Sequence, residues 1–341
     1  MRYVHVEDIE PGQILGRSIF SANGNVLLSE NIELTVYMIN TLRRIGVEML
    51  YIKDEQFADV EIEEVVSEET KRKMTKKLGD MFDSIRSGKS FSDRSLSVSV
   101  DGLLDEIMEN HDVLVQLSDI RTEDNRRYLH ALNVCTMSVM TGMNLGLNAQ
   151  QLKELAIGAL LHDVGKVGIE SEHDDPQTRN HHTWRGFDMI KREQSLIIAH
   201  VALQHHESPD GSGIPRGLGE GEIHLYAKIV AVANMYDNLL FEEQDGKRMM
   251  PHEACEHLMA LSGTKLDRDV LIEFLRIVSI YPTGVSVRLT TKETGVVVGQ
   301  HRGLPGRPII RIVLQDRDDS MDVKEVDLAK QPTVFIEAVL G

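Results

Sequence analysis

Apolar positions recur along this chain with two different periods, and the change between them divides it. From about residue 100 to 278 the period is helical. Leu152, Leu155, Ala156, Ala159 and Leu160 follow the i, i+3, i+4, i+7, i+8 spacing that lines one helix face. Ile198, Val201 and Ala202 lead to His205 in the same way, and Val230, Ala233, Asn234 and Asp237 lie in a further segment of this kind. The spacing predicts an all-α core, with one helix starting near Ala149 and ending at His162 and Asp163.

Shorter patterns flank that core. Residues 1–58 read as a small α/β module. Val26–Leu28 forms a strand after the turn Asn23-Gly24-Asn25, and Leu34, Met38, Leu42 and Ile45 mark a helix that Gly46 ends. Val47–Ile52 then returns as a strand. Residues 59–99 are a charged helical linker, in which Met74, Leu78, Met81, Phe82 and Ile85 form one stripe that offers a homodimer contact. Within it, the Ser-rich stretch 87–99 reads as a loop. After Tyr281-Pro282-Thr283-Gly284 the pattern alternates. Val285–Leu289, Gly295–Val298 and Ile309–Leu314 predict a small β module over 279–341. The fold class is therefore mainly α, with a helical domain at 100–278 between two small modules.

Composition narrows the function classes. A chain of 341 residues with 41% apolar and 27% charged residues suits a soluble protein of more than one domain. No run approaches the roughly 18 apolar residues of a membrane span, and the first residues lack a signal-peptide core, so the cytoplasm is the expected location. A net charge of -17 argues against coating bulk nucleic acid. It leaves room for a small anionic ligand, because bound metal supplies concentrated positive charge inside an acidic protein. Cys135 and Cys255 read as buried free thiols, neither belonging to a CxxC pair.

The candidate chemistry is a set of imidazoles and one carboxylate. His162-Asp163-Val164-Gly165-Lys166 ends an apolar helix. His205-His206-Glu207 runs into the Gly-rich Asp210-Gly211-Ser212-Gly213. His130 and His182 stand elsewhere in the helical core. A single buried histidine is more often a hydrogen-bonded core residue than a ligand. Adjacent pairs at the ends of apolar helices change that balance, since desolvating several polar groups is costly unless something binds them. Imidazole and carboxylate together suit divalent ions, and a carboxylate can bridge two.

These motifs, Gly158 through Lys166 and His205 through Leu218, resemble in this order those of the HD-GYP domains, bacterial metal-dependent phosphohydrolases. The resembling stretch runs from about Arg121 to Leu275. The resemblance implies an HD-type helical fold and a cyclic di-GMP phosphodiesterase of second-messenger signalling, with two divalent ions, iron or manganese, and signalling proteins as further partners. One ion would take His130, His162, Asp163 and Asn234. The other would take His182, His205 and His206, with Asp163 bridging both. Asp163 and Lys166 would be catalytic, a hydroxide between the ions attacking the phosphodiester while Lys166 meets the phosphoryl charge. Lys166, Gly211, Gly213, Arg216, Lys247 and Arg248 would contact the substrate.

The chain departs from the family pattern in several places. Asn234 stands where the family has a ligating aspartate, and Asp237 one turn on offers a compensating carboxylate. Arg126 occupies the position of a third-metal glutamate, which favours two ions. Ile214 replaces the tyrosine of the third motif. Glu243 and Gly246 replace basic residues, leaving Lys247 and Arg248 as substitutes. The loop before His182 is short, and His182 rather than His181 is chosen by its spacing to Gly186. Two alternatives stand beside the phosphodiesterase: a degenerate domain that binds ligand or partner without turnover, and a phosphohydrolase for another nucleotide.

Overall fold

The computed structural model describes residues 1–88, 93–116, 119–168, 175, 178–242, 248–315 and 321–340. The chain is mainly α, and it divides into two compact units. One unit gathers Met1–Glu64, Asp112–Arg126 and Val278–Gly341; the other gathers Val65–His111 and Arg127–Ile277. Among the described residues no helix is long and apolar enough to cross a membrane.

Among the described residues, the strands all lie in the first unit. β1 (Arg2–His5) pairs antiparallel with β4 (Met49–Ile52), and β2 (Ile19–Phe20) pairs with β3 (Val26–Leu28). Between them lies α1 (Val36–Arg44), started by the Thr35 side chain, which accepts from Met38 N–H. Gly46 follows at φ 82°, a conformation that costs glycine nothing, and the chain turns there toward β4. Leu15, Ile19, Leu34, Leu42 and Leu50 fill the space under these elements.

β5 (Ser286–Leu289), β6 (Thr294–Gly299), β7 (Ile309–Gln315), β8 (Met321–Asp327) and β9 (Ile336–Leu340) form one antiparallel sheet in the order β8-β7-β6-β5-β9. Val287, Leu289, Ile310 and Ile312 make its buried face. β8 and β9 are additions to the sequence reading. β8 alternates charged and apolar residues and sits at a sheet edge, where pairing with β7 from Ile309↔Asp327 to Gln315↔Met321 defines it. The Arg311 guanidinium also meets Asp59 at 2.6 Å, which ties the sheet to the segment after β4.

Among the described residues, the regular elements of the second unit are helices. α2 (Glu68–Arg86) buries Met74, Leu78, Met81 and Phe82, and Phe82 meets the Tyr128 ring at 5.7 Å. The stripe read from the sequence is thus covered inside this unit. α3 (Asp93–Glu109) begins within the stretch read as a loop, which corrects that expectation. Leu96, Val100, Leu103 and Ile107 recur at helical spacing and are buried, while the serines occupy positions between them.

α4 (Arg126–Asn144) is buried along most of its length. α5 (Ala149–Leu161) starts at a capping box between Asn148 and Gln151 and packs on α3. Leu155, Leu160 and Leu161 are fully buried, each worth about 1.5–3 kcal/mol relative to exposure. α7 (Leu196–Gln204) and α8 (Leu225–Phe241) pack on α5, α6 (His182–Ile190) packs on α7 and on the turn Val164–Lys166, and α9 (Pro251–Ala260) and α10 (Arg268–Leu275) pack on α8.

Small residues set how closely these helices approach. A Cβ on Gly158 of α5 would lie 2.7 Å from Val201 of α7, and one on Gly186 of α6 would lie 3.2 Å from Ala202. The ends of α5, α6 and α7 can therefore meet, which brings their histidines together.

Candidate metal centre

His162 caps the C-terminus of α5, and Asp163 follows it before a short 3₁₀ turn, Val164–Lys166. That turn lies against the start of α6: a Cβ on Gly165 would overlap the His182 carbonyl oxygen and sit 2.7 Å from Gly186 N. Only glycine permits the approach, so Gly165 sets the distance between Asp163 and His182. His205 caps α7 and His206 follows it. His130 comes from the second turn of α4.

Five histidines gather around Asp163, which divides its two oxygens between four of them. Oδ2 lies 3.6 Å from His162 Nε2 and 3.9 Å from His130 Nε2. Oδ1 lies 3.6 Å from His182 Nε2 and 3.6 Å from His205 Nε2. His206 Nε2 lies 3.2 Å from His182 Nε2 and completes the second set. The ligand atoms of His130, His162 and Asp163, and those of Asp163, His182, His205 and His206, each fall within 4.8 Å of one another.

Hydrogen bonds on the far side of the rings fix which nitrogen faces inward. His162 Nδ1 is 2.7 Å from the Ala159 carbonyl, and His205 Nδ1 is 2.9 Å from the Ala202 carbonyl. A carbonyl oxygen only accepts, so both protons sit on Nδ1 and both Nε2 lone pairs point at Asp163. His130 Nδ1 likewise donates to Asp237 Oδ2 at 2.6 Å. His130 Nε2 and His162 Nε2 then face each other at 3.2 Å, a spacing that a shared proton or a cation would bridge.

Electrostatics agree with a cation site. Burial pushes the His162 and His205 imidazoles down to about 4, against the pull of Asp163, so both are neutral at pH 7, the form in which an imidazole can ligate a cation. Burial and the neighbouring His205 hold His206 well below the usual histidine range. Burial alone would raise Asp163, but His162, His205 and Lys166 outweigh it and keep the carboxyl well below its usual value. Asp163 Oδ1 and His205 Nε2 are buried and make no hydrogen bond. Buried polar atoms are nearly always satisfied, and a divalent ion would satisfy both of these.

The other residues singled out in the sequence take different places. Lys166 Nζ meets Asp163 Oδ2 at 2.7 Å, with its side chain 41% exposed. Asn234 is buried in α8, and its side-chain oxygen accepts from Asn238 at 3.3 Å. Asp237 touches the cluster through the outer nitrogen of His130 and also accepts from Asn133 at 3.4 Å, so it is held as a support for the ring. His181 bonds Thr183 Oγ1 at 2.8 Å while its neighbour His182 faces Asp163. Arg126 is exposed at the start of α4. Gly211, Gly213 and Arg216 lie on the loop after His206, with Gly211 at φ 76°. Arg248 is half-buried; Lys247, with Glu243 and Gly246, lies outside the described residues. Glu207 is buried, and its carboxylate accepts from two amides of that loop. The sequence reading quoted Glu207 in its motif without a role, and its position beside two histidines was the available signal.

Residues 112–270 match the HD domain family model, and residues 286–341 match the KOW domain associated with the HD domain. A cyclic di-GMP phosphodiesterase of Pseudomonas aeruginosa is 30% identical over 232 residues, which cover 65% of this chain and 56% of that protein. A cyclic di-GMP phosphodiesterase of Thermotoga maritima is 31% identical over 185 residues, covering 51% of this chain and 50% of that protein. The chain thus spans about half the length of these relatives. A solved HDG"Y"P protein from Bdellovibrio bacteriovorus aligns at 16% identity and a TM-score of 0.47, covering 80% of this chain and 97% of that one.

Proposed function

Because this chain carries an HD domain of the HD-GYP type, we propose that it is a metal-dependent phosphodiesterase that hydrolyses cyclic di-GMP in the cytoplasm as part of second-messenger signalling. The observation that carries this reading is the split carboxylate of Asp163, which turns one oxygen to His130 and His162 and the other to His182 and His205. The names of the two curated relatives support the substrate.

His130, His162 and Asp163 would hold one ion, with Asn234 as a further oxygen donor, and Asp163, His182, His205 and His206 the other. A mixed imidazole and carboxylate set suits iron or manganese. When bound, the two ions supply activation of a water as nucleophile and neutralisation of the phosphoryl oxygens. The chain's own residues do the rest. The Nδ1–H bonds of His162 and His205 to their helix carbonyls keep both rings oriented without reorganisation. Lys166, fixed on Asp163 and open to solvent along part of its stem, brings an ammonium to the place where phosphoryl charge grows. Gly211, Gly213, Arg216 and Arg248, with Lys247, make the substrate contacts in this reading. The chemistry belongs to the helical segment within residues 100–278, which the 59–99 linker joins to the 1–58 module; the β module at 279–341 stands outside it.

Elemental analysis of anaerobically purified protein, with cyclic di-GMP turnover measured on the same sample, tests the proposal. About two ions per chain and hydrolysis to a linear product are expected. A fully metallated sample that binds cyclic di-GMP without cleaving it would make the domain a receptor, and one that cleaves only another nucleotide would replace the substrate. A protein without metal affinity would remove the basis of the reading.

A further inference from the structure

We propose that Glu207 is a positioning residue that ties the ligand loop to the metal half holding His206, and that it presents the Arg216 guanidinium to a phosphate of the substrate. The inference rests on the phosphodiesterase reading above and adds a residue to it.

Glu207 directly follows His206 and is 3% exposed. Its two oxygens are divided between two backbone amides of the loop. Arg216 N–H donates to Oε1 at 2.8 Å, and Leu218 N–H donates to Oε2 at 2.9 Å. Further contacts fold the same loop back on the histidine pair. Ile214 N–H donates to the His206 carbonyl at 3.0 Å. A Cβ on Gly213 would lie 2.5 Å from Glu207 Cα, so only glycine passes there. The base of the loop is closed by the antiparallel bridge between Asp210 and Gly219, and Asp210 N–H donates to the Thr264 carbonyl at 3.0 Å. Leu218 is anchored in a small apolar cluster with Ile223 and Ala227.

Two convergent backbone N–H groups in a glycine-rich loop are a ready anion site. Here the protein's own carboxylate occupies it. The amides of Arg216 and Leu218 are therefore not available to a phosphate. What the loop offers instead is the exposed side chain of Arg216, whose own amide is one of the two that Glu207 holds. A guanidinium pairs with phosphate oxygens through two parallel hydrogen bonds, and that pairing depends on geometry. Fixing the Arg216 backbone on Glu207, the residue after His206, limits the space that the guanidinium can reach. A glutamine at 207 keeps the size but turns an N–H toward an N–H, so one of the two clamps must fail.

The test compares full-length wild type with Glu207→Gln, Glu207→Asp, Arg216→Ala and the Glu207→Gln/Arg216→Ala double variant. Metal content, cyclic di-GMP kinetics and amide hydrogen exchange are the readouts. Glu207→Gln should keep its metal, raise KM about tenfold and leave kcat within about threefold, because the lost interaction is one of binding. Protection at the Arg216 and Leu218 amides should be lost in that variant. Arg216→Ala should raise KM similarly, and the double variant should add less than about twofold, since both act on one contact. Glu207→Asp, which keeps the charge, should recover most of the affinity, and it decides the matter if the glutamine variant does not fold. Metal content and turnover falling together would overturn the proposal by making Glu207 a support of His206 alone, and so would an unchanged KM. If wild type does not cleave cyclic di-GMP, the substrate reading fails, and exchange judges Glu207: retained protection in Glu207→Gln overturns the clamp, and lost protection upholds it.

Discussion

His130 turns its Nδ1 to Asp237 Oδ2 at 2.6 Å, so the carboxylate meets the ring on the side away from His162. Asp237 is fully buried and is braced by Asn133. A carboxylate behind an imidazole fixes its tautomer and makes the facing nitrogen a stronger donor. Asp237→Asn should therefore weaken divalent-ion affinity by about 10- to 100-fold while His130 remains in place. Competition against a chelator of known affinity measures this. Unchanged affinity would show that the ring is held by packing alone.

Asn234→Asp separates the role of the neighbouring turn. Asn234 carries an amide where a charged ligand would attract a divalent ion more strongly. Its replacement by aspartate should raise metal occupancy or turnover, read by elemental analysis and kinetics on one preparation. If neither changes, this position of α8 does not reach the ions.

Metal removal should lower stability, because an ion that binds only the folded chain stabilises it by mass action. At a free concentration one hundred times Kd the contribution is about 2.7 kcal/mol per site. At about 2–4 °C per kcal/mol for a domain of this size, chelation of two such sites should lower Tm by about 10–20 °C. Asp163→Ala, which removes the shared ligand, should already melt lower and should not respond to chelator, and His205→Ala should respond only in part. A chelator response in either variant equal to wild type would place the ions elsewhere.

Lys166→Ala should lower turnover by about 100-fold with metal content little changed, since an ammonium is a poor ligand but a good partner for developing phosphoryl charge. A parallel loss of metal would instead make its contact with Asp163 the whole of its role.

Gly165→Ala should destabilise the chain by about 3 kcal/mol and strip metal together, because the added Cβ overlaps the His182 carbonyl and must push α6 away. Denaturant melts and elemental analysis report the two effects. A stable, metallated variant would mean that α6 can shift without cost.

The helical core and the ends of α5 and α7 were readable because they depend on neighbours within a few residues. The apolar spacing from Leu152 to Leu160 and the histidine pairs are local signals. The resemblance to HD-GYP domains then supplied a ligand set. Local reading failed where local signals conflict. Serines around residue 95 suggested a loop, although Leu96, Val100 and Leu103 were already spaced for the buried face of α3. β8 was missed because a polar edge strand is defined by its pairing with β7 rather than by its own pattern.

By itself, the sequence determined the residue types: which imidazoles and which carboxylate are present, and that they sit at the ends of apolar helices or follow them. The tertiary structure alone decided how they are shared. That Asp163 turns one oxygen to His130 and His162 and the other to His182 and His205 follows from the angle at which α5, α6 and α7 meet, which glycines 158, 165 and 186 permit. That Asp237 stands behind His130 joins residues 107 apart, and that Arg311 meets Asp59 joins residues 252 apart. Such contacts depend on close packing between distant segments, and no periodicity within one segment encodes them.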